Sequence, residues 1–544
     1  MYVIYGAVMK DESKDIDLKN LVLGIELGST RIKCVLINSY GNPIASGISG
    51  WENTISDDGY WTYSEELIWE KLQESYSDLR SSFSNKYNAK LSYISEIGIS
   101  GMMHGFMAFD KYGNLLTPYR TWRNNNTKKA SEELSQLFEF NIPQRWSVAH
   151  LYQAILDNED FIEDISFITT LSGYITWKLT GQKVLGIGDA SGMFPVDSKT
   201  NNYDKYMIDN FNRLIHRGDR CLSWNIEDLL PEIKLAGQNV GYIRSDCLTK
   251  LDISNTLSDN IAFAPPEGDA ATGMIATNCI KERTANISVG TSAFSMIVLE
   301  EKLKNYYKDV DVVKTPDGKD VAMIHINNCG SEINAWTSIF KEFLNLFGVI
   351  KTDDEIFNKL FYESKKSNED VGNLVSYGFH SGENIFDIDK GMPILLREQD
   401  NRFTISNLIK SILISAFMPL KHGHDVLNDN ENVKIDKILA HGGLFRTELI
   451  AQEIVSEVLD FPVSTFKTAS EGGAWGMALL SLFAKNQQNI GLQKFLDDTI
   501  FDYVDEVVVD RNSRIKKEVN NYLDNYYKYL GDVREMINEN KEEL

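Results

Sequence analysis

At 544 residues the chain is too long for one compact core, so two large domains are expected. A formal charge of −23 argues against a broad nucleic-acid or anionic-membrane surface, while a small anion can still be held by backbone N–H groups and a metal ion. The five cysteines, Cys34, Cys221, Cys247, Cys279 and Cys329, include no CxxC pair, which disfavours a disulfide framework or zinc ribbon and fits a reducing cytoplasm.

Residues 1–20 read as an N-terminal extension without a signal-peptide pattern, and no apolar run is long enough to predict a membrane span. From Leu21 to Leu27 a strand is expected, then a second over Lys33–Asn38, a Tyr40-Gly41-Asn42-Pro43 turn, and a third strand over Ile44–Ile48. Ile68, Leu72, Tyr76, Leu79 and Phe83 recur at helical spacing, and Ile94–Ile99 makes a further buried strand. A less regular version of this order follows. Ile261–Ala264 is a strand ending in a Pro265-Pro266-Glu267-Gly268 turn, Ala270–Ala276 starts a helix, and Asn286–Leu299 is a hairpin about Gly290. Lys434–Ala440 is a strand, Thr447–Leu459 an amphipathic helix, Pro462–Phe466 a strand, and Glu471–Phe483 a Gly/Ala-rich helix suited to close packing. The charged segment beyond about Asp510 predicts an outer helix. Meander, helix and further strand resemble the ribonuclease-H-like core of actin-type ATPases, so the fold class expected is α/β, two such domains with a catalytic cleft between them.

Gly28-Ser29-Thr30 and Gly290-Thr291-Ser292 each join two apolar runs through glycine and two hydroxyl residues. Such turns are common in hairpins; one in each half suggests a polyphosphate gripped from both sides. In Glu267-Gly268-Asp269, an acid opens a helix after a strand end, where it can cap that helix or accept the proton of an alcohol during phosphoryl transfer. Glu26 lies between Ile25 and Leu27, and a carboxylate there is suited to Mg2+ held through water. Met103-His104-Gly105, bracketed by Gly101 and Gly105, can line a pocket or serve the core.

Taken together, the chain resembles the FGGY-family carbohydrate kinases from about Leu21 to Lys485. The resemblance is carried by the two hydroxyl turns, by Met103-His104-Gly105, by Trp177-Lys178-Leu179-Thr180-Gly181 with Gly188-Asp189-Ala190-Ser191-Gly192, by Gly268-Asp269, and by Gly442-Gly443 with Glu471-Gly472-Gly473-Ala474. It implies a sugar-binding domain over 21–260, a nucleotide-binding domain over 261–500 and a helical tail over 501–544. It further implies ATP and Mg2+ as cofactors, Asp269 as general base, and metal binding by Glu26 and Asp269. Sugar contacts are implied for Met103, His104, Gly105, Trp122, Asn124 and Asp269. ATP contacts are implied for Gly28, Ser29, Thr30, Gly290, Thr291, Ser292, Gly442, Gly443, Glu471, Gly472 and Gly473. The partner is a small sugar, with no nucleic acid or membrane, and the family suggests a homodimer.

Three positions depart from the family pattern. Glu26 stands where Asp is usual, Trp122-Arg123-Asn124-Asn125-Asn126 replaces a Trp-Asn-Asp-Gly-Arg run, and His441 begins the adenosine turn in place of Gly. The resemblance is closest to xylulokinases, which makes D-xylulose or a similar pentulose the expected substrate. Ribulose, other ketoses, gluconate and glycerol remain alternatives, as does a catalytically degenerate sugar sensor. A dinucleotide dehydrogenase is disfavoured because Gly186-Ile187-Gly188 lacks the third glycine, and no P-loop ending in Gly-Lys-Ser/Thr occurs.

Overall fold

Three apolar runs, Val22–Leu27 (β1), Arg31–Ile37 (β2) and Pro43–Gly50 (β3), pair antiparallel as the expected meander. The structure is a computed structural model that describes residues 3–5, 20–217, 222–447, 449–466, 472–486, 490–503, 506–510 and 513–539. The Ser64 hydroxyl accepts the Leu67 N–H at the start of helix Glu65–Tyr87 (α1). That helix buries Ile68, Leu72, Tyr76, Leu79 and Phe83, the five residues of its apolar stripe, and packs on β3. Strand Glu96–Gly101 (β4) then runs parallel to β1, and Ala262–Phe263 runs parallel to β4. The turn expected at Pro265–Gly268 is only partly a turn. Glu267 and Gly268 return to pair with Ser100 and Gly101 of β4, because the buried Glu267 carboxylate accepts the Gly188 and Asp189 N–H groups and draws the chain back to the sheet.

Helix Asp269–Ala276 (α2) leads into the second half. Here Thr284–Val289 (β5), Ala293–Val298 (β6), Val310–Lys314 (β7) and Asp320–Ile326 (β8) form an antiparallel set ordered β5-β6-β8-β7. After helix Gly330–Leu346 (α3), strand Lys437–Gly442 (β9) joins β5 in parallel. Helix Ile450–Leu459 (α4) follows, and Val463–Phe466 (β10) pairs parallel with β9. Both sheets therefore place an antiparallel meander beside parallel strands, the duplicated order that the sequence suggests.

Helix Gly472–Lys485 (α5) packs on β1, β2 and β4 of the first sheet and on α2. Its approach depends on glycines. A Cβ on Gly24 would lie 2.1 Å from the Ala474 carbonyl oxygen, and one on Gly476 would lie 2.0 Å from that of Thr272. Strand Glu506–Val509 (β11) pairs antiparallel with β10, and Val3–Tyr5 pairs with β11 at the sheet edge. Helix Ser513–Glu539 (α6) buries Val519, Tyr522 and Tyr526 in the core of the second half and lies against α4. This explains one departure from expectation. The helix predicted as amphipathic over Thr447–Leu459 starts at Ile450 and has every residue buried, because α6 and the helices Ile405–Ser415 and Met418–Glu431 all pack against it. Among the described residues no helix is long and apolar enough to cross a membrane.

Candidate active site

A cavity of about 530 Å3 lies between the two sheets. Ser29, Met103, His104, Trp122 and Asp269 face it, and Ser292, Phe294, Asp309, Asp311 and His325 line it from the second half.

The two hydroxyl turns share a construction that their sequences do not display. In the first, the Gly28 carbonyl accepts the Trp51 indole N–H at 2.7 Å, that of Ser29 the Tyr63 hydroxyl at 2.6 Å, and that of Thr30 the Trp51 backbone N–H at 3.2 Å. Trp51 and Tyr63 stack at 4.2 Å behind it. In the second, the Gly290 carbonyl accepts the Gly330 N–H at 3.0 Å and that of Thr291 the Cys329 N–H at 2.7 Å, both at the start of α3. A Cβ on Gly330 would sit 2.5 Å from the Gly290 oxygen, so glycine is what permits this contact. The Gly28 and Gly290 N–H groups close their own turns on the Arg31 and Ser292 carbonyls, so with the carbonyl oxygens occupied from behind it is the hydroxyls and N–H groups of the following two residues that remain for an anion. Trp122 donates its indole N–H to the Ser29 hydroxyl at 3.1 Å, tying the cavity wall to the first turn.

Asp269 is the first residue of α2 and makes no side-chain cap; Gly268 holds the N-cap position. Its carboxylate instead accepts the Met103 N–H at 3.1 Å, which aims it at the Met103-His104 segment. Burial raises its pKa, opposed by that N–H and by the first N–H groups of its own helix. Glu26, at the end of β1, accepts the Ala474 N–H at 3.2 Å. Burial and then the nearby Asp269 charge push its carboxyl up to about 7, against the pull of that N–H. Asp269 thus lies close enough to Glu26 for its charge to be felt there. Among the described residues no cluster of three or more His, Cys, Asp or Glu suited to a metal exists. Mg2+ nevertheless commonly takes only one or two carboxylates and completes its shell with water and phosphate, so this oxygen pair fits it.

Behind Asp269 lies a second acidic pair. Asp189 accepts the hydroxyls of Thr170 at 2.7 Å and Ser172 at 2.5 Å, and burial pushes its carboxyl up to about 7. Glu267 is pushed up to about 8, by burial and then by Asp189. The Gly186-Ile187-Gly188 stretch serves this pair, since a Cβ at either glycine would come within 2.5 Å of the Glu267 carboxylate.

His104 is buried, with Nδ1 3.1 Å from the Gly192 carbonyl oxygen and its ring stacked on Trp146. Burial, followed by the Arg145 charge, holds its pKa well below the usual imidazole value, so it meets a ligand as a neutral ring. Gly105 acts through its backbone. It has a φ of 85°, donates its N–H to the Arg145 carbonyl at 3.1 Å, and lies too close to the Arg120 carbonyl for a Cβ. The expectation for Asn124 is corrected. Its side chain bonds both ways with the Trp61 backbone, at 2.8 and 3.0 Å, and is buried, while its neighbour Asn125 lines the cavity. Gly442 has a φ of 115° and packs on Val289, where a Cβ would meet the carbonyl oxygen at 2.0 Å; Gly443 is open to solvent. Gly473 sits against Glu26, a Cβ there falling 2.6 Å from its carboxylate. Gly472, with a φ of 67°, opens α5 beside it, and Glu471 lies outside the described residues. Trp177 packs on Phe109 and Phe167 and does not line the cavity.

Sequence reasoning misses Arg145, Asp309, Asp311 and His325. Arg145 pairs with Asp311 in the cavity wall, and Asn141 donates to the same carboxylate at 2.7 Å, so two first-half residues hold one acid of the second half. These residues stand in no local motif, and only folding brings them to one wall.

The family model described as "FGGY family of carbohydrate kinases, N-terminal domain" matches residues 21–262, and the corresponding C-terminal domain matches residues 285–485. A protein named xylulose kinase from Haemophilus influenzae is 22% identical over 530 residues, covering 95% of this chain and 100% of its own length. Solved structures of a gluconate kinase and a ligand-bound xylulose kinase, both from Lactobacillus acidophilus, superpose with TM-scores of 0.76 and 0.75. Each is 17% identical, and the alignments cover 95% of this chain and 98% of theirs. At that identity the solved structures establish the fold, which is the two-domain α/β arrangement expected.

Proposed function

The chain belongs to the FGGY family of carbohydrate kinases, and from that membership we propose that it transfers the γ-phosphate of ATP to a terminal hydroxyl of a ketose, D-xylulose or a similar pentulose, with Asp269 as general base. The observation that carries this reading is the placement of Asp269. It faces the cavity that both hydroxyl turns adjoin, where an alcohol and a terminal phosphate can meet.

In this mechanism the Asp269 carboxylate takes the proton of the acceptor hydroxyl as its oxygen bonds to the γ-phosphorus. The bond from that phosphorus to the bridging oxygen breaks, and ADP leaves. The turns at Gly28-Ser29-Thr30 and Gly290-Thr291-Ser292 orient the phosphates through N–H and hydroxyl donors. Glu26 and Asp269 would hold Mg2+, which supplies charge neutralisation at the phosphates when bound. Gly443, open to solvent, would leave room for the adenosine, with Gly442 holding the turn against Val289. The xylulose assignment draws on the name of the Haemophilus relative and on Met103 and His104 at the cavity wall. Action in the cytoplasm belongs to the same reading, supported by the free state of Cys34, Cys247, Cys279 and Cys329.

Asp269→Asn tests the base. It keeps an oxygen for the Met103 N–H but removes basicity, so kcat should fall by roughly 10²- to 10⁴-fold. The melting temperature and ATP affinity should stay near wild type. Near-normal turnover would rule out the assignment and favour a structural role at the helix start.

A further inference from the structure

Charge is unevenly answered around the cavity. Its lining includes two cationic side chains, and both are already engaged: Arg145 by Asp311, and Lys308 by Asp387. The two lining imidazoles are neutral, since burial lowers His104 well below its usual value and His325 to about 4. Among the carboxylates, Asp311 holds Arg145 and Asn141, and Asp269 holds the Met103 N–H. Asp309 is different. It is partly exposed to the cavity, and among the described residues it makes no hydrogen bond or ion pair.

A half-buried carboxylate without a donor is costly unless a ligand supplies one. The donor cannot be a second anion, because no free cation lines the cavity to offset it among the described residues. A carboxylate on the acceptor would share the cavity with Asp309 and Asp269, whose like charges would repel it. A polyol hydroxyl carries no charge and donates a hydrogen bond.

Resting on the kinase reading above, we propose that Asp309 is a specificity-determining residue that accepts hydrogen bonds from acceptor hydroxyls away from the reacting one, and that it confines the acceptor to uncharged ketoses and polyols, excluding aldonates. It acts from the second half of the chain while Met103 and His104 line the same cavity from the first, so acceptor recognition draws on both halves. Burial raises the Asp309 carboxyl to about 6, partly countered by Lys308, so it is available as an anionic acceptor at neutral pH.

The test compares D-xylulose and D-gluconate as acceptors for the full-length wild type, Asp309→Asn and Asp309→Glu, with ADP release as readout. Wild type should phosphorylate the ketose and leave gluconate essentially unused. In Asp309→Asn the KM for the ketose should rise roughly 10- to 100-fold, the span expected for losing hydrogen bonds to a charged acceptor, with a smaller effect on kcat. Asp309→Glu should recover part of that loss, and the relative use of gluconate should increase in Asp309→Asn. A ketose KM in Asp309→Asn equal to wild type, or a wild type that prefers gluconate, overturns the proposal and leaves the kinase assignment standing. A wild type that binds ATP but phosphorylates neither these acceptors nor ribulose and glycerol overturns the kinase reading, and this inference with it.

Discussion

Replacing Gly476 with alanine pushes apart the two helices that position the acidic pair. Gly476 lies in α5, whose first turn donates the Ala474 N–H to Glu26, and it faces Thr272 in α2, the helix that begins with Asp269. A Cβ would lie 2.0 Å from the Thr272 carbonyl oxygen and 3.2 Å from the Ala276 nitrogen, both backbone atoms that no rotamer change can move. Ordinary contact begins near 3.4 Å, so one helix must give way by roughly 1.4 Å. Overpacking of this kind costs about 1–3 kcal/mol, which at roughly 2–4 °C per kcal/mol for a domain of this size corresponds to a fall in melting temperature of roughly 2–12 °C. The catalytic consequence should be larger. A displacement near 1 Å between groups that must act together costs about 10²-fold in rate, so kcat should drop by that order with a smaller change in the KM for the acceptor. Gly273→Ala is the control. It lies in α2 with nothing within 4 Å of an added methyl, and it should stabilise the helix by about 0.5–1 kcal/mol. Calorimetry and steady-state kinetics on both variants decide the matter. Wild-type melting and turnover in Gly476→Ala would refute the argument that close helix approach sets the geometry of the site.

Glu96, at the start of β4, is 6% exposed, and burial pushes its carboxyl up to about 8, with Lys485 opposing the shift. Its folded pKa is raised, so the wild type loses stability as pH climbs from about 4.5 towards 8; Glu96→Gln should melt higher over that window, by an amount that grows with pH to at most about 5 kcal/mol, and a pH-independent difference would defeat this. Arg145→Met leaves Asp311 without its cation in the cavity wall and should cost about 2–4 kcal/mol in urea titrations at pH 8, less at pH 5, where the orphaned carboxyl can take a proton. Equal losses at the two pH values would show that packing, not charge, is what Arg145 supplies.

The meander, the α1 stripe and the two hydroxyl turns could be read from the sequence because each depends on neighbours within a few residues. Alternation fixes which strand faces are buried, Ser64 and the Ile68–Phe83 spacing fix the helix, and glycine marks the tight turns. The position of Asp269 at the head of α2 was legible in the same way, since strand end, glycine and acid are contiguous. The tertiary structure decided what depends on distant partners. It buried α4 on every side by packing α6 and the helices Ile405–Ser415 and Met418–Glu431 against it, turned Asn124 onto the Trp61 backbone so that Asn125 faces the cavity, and set Gly473 against Glu26, 447 residues earlier in the chain. It also brought Arg145 to Asp311 and left Asp309 without a donor among the described residues. Local periodicity encodes which face of an element is apolar. What covers that face, and which charge meets which across a cleft, is fixed only when the two sheets close on α2 and α5.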